Sequence, residues 1–245
     1  MNHIGSEVFW VKFFYWIYGW KIFNKLNIEE QKILTENISF YNNLSVKDKK
    51  KFEYRVKRFI KAHHFIGREN LEIDSFVLMM IASSAIIVTF KLNNYLFKHF
   101  STILVYPKNF LSRHTKLMHK GETNPGMQAV VLSFESLLKG IKIENDNLHL
   151  GIHEFTHALY FSYEKEYSRE SNRFISNYKK VFTLLADKTQ KEKVLKSNYF
   201  RDYAYENKHE FLAVLTENYF ETPIEFKEKL PELFGLVNKL YRIYE

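Results

Sequence analysis

Two histidines stand four residues apart in the stretch "LHLGIHEFTHALYF", and a glutamate follows the first directly: His153, Glu154 and His157. The residues around them are apolar, namely Leu148, Leu150, Ile152, Phe155, Ala158 and Leu159. An apolar run of this kind is read as a helix sunk in a core. Helix geometry places positions four apart on one face, one turn from each other. Whatever fold the chain adopts must therefore bury these polar side chains together. Buried imidazoles and carboxylates are costly unless something binds them.

A divalent metal ion is what such a pair binds best. His153 and His157 can present ring nitrogens to one cation. Glu154 then sits beside the ion, free to take a proton from a water and pass it to a leaving amine. This is the pattern of a zinc-dependent peptidase. The chain has no cysteine, so a metal site must be built from histidine and carboxylate. His149 lies one turn before His153, but about 12 Å along the axis from His157 at ~1.5 Å per residue. It is read as a polar neighbour. Catalytic zinc usually takes a third protein ligand. The later stretch "RDYAYENKHEFLAVLTENYF" offers Glu206, His209, Glu210 and Glu217. Glu206, Glu210 and Glu217 are read as sharing a helical face, and spacing does not choose among them.

Few breakers interrupt the rest, with 8 glycines and 4 prolines in 245 residues, which favours helices joined by short connections. One helix is expected from Ile28. A basic one follows Ser45, its apolar stripe made of Val46, Phe52, Val56, Phe59, Ile60 and His63. The uncharged stretch from Phe76 to Phe90, capped by Asp74, is too short to span a membrane and reads as a buried helix. Pro231 suits the first turn of a closing helix. Two strands are expected, "STILVYP" and "MQAVVLSF", with "HKGETNPGM" as a loop between them. The expected class is α+β, predominantly helical, with a small central sheet. Residues 25–245 are taken as a single domain.

The formal charge is +8. Its dense run, "KDKKKFEYRVKRFIK", is read as a solvated helix face, so no direct nucleic-acid contact is expected. The absence of cysteine fits a reducing, cytoplasmic setting. Residues 1–24 are unusually aromatic. The segment from Val8 to Phe23 holds Lys12 and Lys21, lacks ~20 uninterrupted apolar residues, and so is no membrane span. It is read as a helix docked on the body, with weak association at a membrane surface as the rival reading.

Four blocks, "VVLSFESLLKG", "GIHEFTHAL", "YAYENKHEFLAVLTENYFETP" and "FKEKLPELFGLVNKLY", resemble the Mlc titration factor A family of bacterial zinc peptidases. Their order and spacing agree, "TILVYPKNF" fits before them, and the catalytic core of that family is similar to that of anthrax lethal factor. The resemblance implies a zincin-like domain with one zinc ion per chain. It implies His153, His157 and Glu210 as ligands, Glu154 as general base, and Tyr203, with Tyr205 as its rival, as a donor to the oxyanion. Glu217 would orient an imidazole. "AVVLSF" would be the edge strand along which an extended peptide pairs. Where the family usually has an acid three residues after the second histidine, this chain has Tyr160. The implied substrate is a peptide or protein, with aminopeptidase-type action on small peptides. Since the family's namesake binds a transcription repressor, the rival reading is a regulatory binding protein whose partner is a transcription regulator.

Overall fold

The uncharged stretch after Asp74 forms a buried helix against which several other helices pack. In this computed structural model, which describes residues 25–112 and 115–244, every residue from Met79 to Phe90 is buried. The order of elements is α1 (Ile28–Asn37), α2 (Ser39–Asn42), α3 (Val46–Ala62), β1 (His64–Gly67), α4 (Ser75–Thr89) and β2 (Thr102–Tyr106). Then come β3 (Phe110–Leu111), β4 (Met118–His119), β5 (Gly121–Asn124), β6 (Ala129–Ser133) and α5 (Phe134–Lys142). The C-terminal half is α6 (Leu150–Lys165), α7 (Arg169–Ala186), α8 (Lys188–Lys196), a 3-10 turn (Asp202–Tyr205), α9 (Lys208–Glu221), α10 (Pro223–Lys229) and α11 (Pro231–Tyr241). The fold is thus predominantly helical with a small mixed sheet. The aromatic segment before Lys25 lies outside the described residues.

Short polar residues start the helices. Asn27 and Glu30 form a reciprocal capping box at α1, while Ser45 and Asp74 accept the Asp48 and Val77 amides. α4 packs against α1, α3, α5 and α6. Its C-terminal carbonyls are met by Arg55 of α3, whose Nη1 donates to the oxygens of Thr89, Phe90 and Leu92 at 2.9, 3.2 and 2.8 Å. A cation here answers both the orphan carbonyls and the negative end of the helix dipole. Phe52, Val56 and Phe59 of α3 face the core as expected, but Val46 is 74% exposed. It opens α3, where the stripe has not yet reached the body.

The four-stranded sheet has the order β1-β2-β6-β5. β1, β2 and β6 run parallel, and β5 is antiparallel to β6, with Thr123 opposite Val130. "AVVLSF" therefore does not supply the edge. β6 is an inner strand with all five residues buried. The edge on that side is β5, in the stretch read as a loop. Its sequence, Gly-Glu-Thr-Asn, has one β-branched residue and no apolar side chain, so it carries little strand signal. No helix among the described residues is long and apolar enough to cross a membrane.

Candidate metal centre

α6 begins at His149, which caps it: its Nδ1 accepts the amide of Ile152 at 3.3 Å. Burial pushes this imidazole down to about 4, against the pull of Glu217, so it is neutral and free to accept. Every residue from Gly151 to Tyr160 is then buried. Gly151 allows this. A Cβ there would lie 2.4 Å from Ser84 Oγ and 2.7 Å from Leu137 Cδ1, so α6 can approach α4 and α5 this closely only with a glycine.

α6 presents His153 and His157 with their Nε2 atoms 3.1 Å apart. α9 crosses α6 and brings the carboxylate of Glu210 to the same point. Glu210 Oε2 lies 2.9 Å from His153 Nε2, and Oε1 lies 3.4 Å from His157 Nε2. One ligand atom from each of the three residues falls within 4.8 Å of the others. Glu210 stands in the first turn of α9, where Asn207 Oδ1 accepts the amides of His209 and Glu210 at 2.8 and 3.1 Å. The cap fixes where the helix starts, and so fixes which acid faces α6.

The other acids and histidines of that stretch fall elsewhere. His209 packs its ring against Tyr160 and Phe161, at 4.9 and 5.1 Å between centroids. Glu206 is exposed and precedes the helix, so it does not share the face of Glu210 and Glu217. Glu217, two turns on, is 1% exposed and its Oε2 lies 3.1 Å from His153 Nδ1. A ring proton on Nδ1 can be donated there, leaving the Nε2 lone pair directed at the cluster. Tyr160, at the position expected to carry an acid in the family, is buried among the rings of Phe161, Tyr178 and His209.

Glu154 points from α6 toward β5. Thr123 Oγ1 lies 2.8 Å from its Oε2 and 2.9 Å from its main-chain oxygen. Burial pushes this carboxyl up despite the two imidazoles and the Thr123 hydroxyl. Thr123 and Gly121 are neighbours that sequence spacing did not reveal; only strand pairing brings them here. Tyr203, in the 3-10 turn, lies with its ring 5.9 Å from that of His153, and burial, with the charge of Glu210, pushes its hydroxyl up. Tyr205 instead packs against Phe211, 5.9 Å between centroids.

The charges decide what such a cluster can hold. Burial opposes a proton on His153, but Glu217 and Glu210 outweigh it and push the ring up to about 10. The same imidazoles hold Glu210 well below the usual carboxylate range although burial works the other way. The centre therefore attracts positive charge. Glu210 Oε2 is buried and lacks a hydrogen bond of acceptable geometry, despite its closeness to His153. Two imidazole nitrogens and one carboxylate with an unfilled lone pair form a donor set that fits zinc.

Residues 21–242 match the family described as glucose-regulated metallo-peptidase M90. The chain is also similar to an uncharacterized protein of Synechocystis sp., with 24% identity over 233 residues, covering 86% of this chain and 82% of the relative.

Proposed function

Since the chain belongs to the glucose-regulated metallo-peptidase M90 family, we propose that it is a zinc-dependent peptidase with a zincin-like catalytic domain spanning residues 25–245. His153, His157 and Glu210 are its ligands for one zinc ion, Glu154 is its general base, and Tyr203 its oxyanion donor. The observation that carries this reading is the convergence of the two Nε2 atoms and the Glu210 carboxylate within 4.8 Å.

Zinc, when bound, supplies Lewis acidity: it acidifies a water and polarises a carbonyl. The chain's own residues do the rest. Glu154 stands beside the ligands on the same helix and takes the proton of the attacking water on its carboxylate. It later delivers that proton to the leaving amine nitrogen. Its elevated pKa suits both roles, since a base that is too weak takes no proton and one that is too strong does not release it. Thr123 holds the carboxylate in place. Tyr203 donates its hydroxyl proton as a hydrogen bond to the oxygen that gains charge as the carbonyl becomes tetrahedral. Burial keeps that hydroxyl protonated, with Glu210 adding to the effect. The outer edge of β5, unpaired among the described residues and beside Glu154, is where an extended peptide pairs its main chain. The resemblance favours aminopeptidase-type action on small peptides.

The test is a metal assay and a peptide-cleavage assay on purified protein. Wild type is expected to hold one zinc per chain, and His153→Ala to lose it. Glu154→Gln is expected to keep zinc and lose about a thousandfold in rate, the order of a general acid–base contribution. Full activity in Glu154→Gln would defeat the mechanism.

A further inference from the structure

Arg201 stands just before the 3-10 turn and touches three parts of the centre at once. Its Nη2 donates to Glu217 Oε2 at 2.6 Å. Its Nη1 donates to the main-chain oxygen of Asn147. Its guanidinium carbon lies 5.8 Å from the centre of the Tyr203 ring. The Glu217 oxygen it meets is the one that faces His153 Nδ1, and Nη2 and Nδ1 are 3.5 Å apart as both address it.

Each contact has a physical reason. The Glu217 side chain is 2% exposed, and a carboxylate that deep needs a charged partner. Asn147 has a positive φ of 56° two residues before the His149 cap, so its carbonyl marks the entry to α6. A planar guanidinium can reach a carboxylate and a carbonyl together, whereas an ammonium reaches one point. Arg201 thus joins the entry of α6, the middle of α9 and the turn that carries Tyr203.

We infer that Arg201 is a positioning residue for this centre: through Glu217 it fixes the His153 ring with Nε2 toward the ligand cluster, and through its own plane it sets the Tyr203 ring beside that cluster. The inference rests on the zinc reading above.

The test compares wild type, Arg201→Met, Arg201→Lys, Glu217→Gln and the Arg201→Met/Glu217→Gln double variant. Zinc affinity is measured by competition with a graded chelator, kcat and KM with a small peptide, and melting on metal-free protein. Arg201→Met is expected to bind zinc about ten- to a hundredfold more weakly, the usual cost of losing an outer partner of a ligand. The double variant is expected to match the weaker single variant within about twofold, because both changes remove one contact. kcat should fall with KM near wild type. Arg201→Lys should recover part of the zinc affinity and little of kcat. Multiplying losses in the double variant, or wild-type zinc affinity with only a lowered melting temperature, overturns the inference. If Arg201→Met does not fold, Arg201→Lys with wild-type affinity and kcat overturns it equally. A wild type that retains no zinc defeats the enzymatic reading and this inference with it. A zinc-loaded wild type and an equally tight Arg201→Met defeat only the inference.

Discussion

Gly121 of β5 and Glu154 of α6 are fitted to each other: a Cβ on Gly121 would lie 2.4 Å from Glu154 Oε1 and 2.7 Å from its Cδ. The sheet edge thus comes up against the proposed base with no room for a side chain. Backbone and carboxylate share the space in which a water and a peptide would meet.

Gly121→Ala follows directly. The methyl group must displace the carboxylate, since that is the movable partner. A misplacement near 1 Å can cost on the order of a hundredfold in rate. We expect kcat to fall by about ten- to a hundredfold with zinc content unchanged, measured by steady-state kinetics beside metal analysis. Unaltered kcat would show that Glu154 does not act from its observed position.

Thr123→Val removes the hydroxyl that favours the ionised form of Glu154. The sign is therefore upward. Burial already places this carboxyl above its ordinary 4.5, and the base works only when deprotonated. The acid limb of kcat/KM should move to higher pH in the valine variant. A pH–rate profile of both proteins checks this, and a shift toward lower pH would contradict it.

Tyr203→Phe keeps the ring and removes the donor. The loss of one oxyanion donor costs about a hundred- to a thousandfold in kcat. We expect that loss with KM little changed. Tyr205→Phe, whose ring packs on Phe211 away from the cluster, should stay within about twofold. Equal effects of the two substitutions in the same assay would remove Tyr203 from its proposed role.

Glu221, one turn beyond Glu217 on α9, has both carboxylate oxygens buried. Burial, then the charges of Glu217 and Asp146, push it up to about 8. Its folded-state pKa is raised, so above about pH 4.5 the unfolded chain gives up this proton while the folded chain keeps it. Stability falls as pH climbs from that value toward 8. Glu221→Gln should flatten this slope and stabilise the protein at pH 9 by on the order of 2 kcal/mol after screening. Thermal melts of both proteins across pH 5–9 measure it, and parallel curves would refute the assignment.

What could be read from the sequence was what local chemistry fixes. The spacing of His153 and His157 within an apolar run marks a buried helix with two co-facial imidazoles. Ser45 and Asp74 mark helix starts because short polar side chains can accept the orphan amides. The face shared by Glu210 and Glu217 is a matter of helical turns, but Glu206 does not belong to it. Asn207 starts α9 only after the 3-10 turn, and counting back through a cap assumes a helix that is not there. β5 was illegible because its strand form comes from pairing with β6 rather than from its own residues. Arg201 and Gly121 were illegible for a related reason. Their partners lie 16 and 33 positions away, Glu217 and Glu154, and no periodicity links them.

The glycine contact beneath α6 bears on how such a protein can diversify. With Gly151 pressed against Ser84 and Leu137, the helix that carries the proposed ligands has no room for a larger residue at that point. Changes of substrate preference are expected instead from the β5 border beside Glu154 and from the turn around Tyr203. Directed evolution toward new peptides is best confined to those surfaces, with the helix floor left untouched.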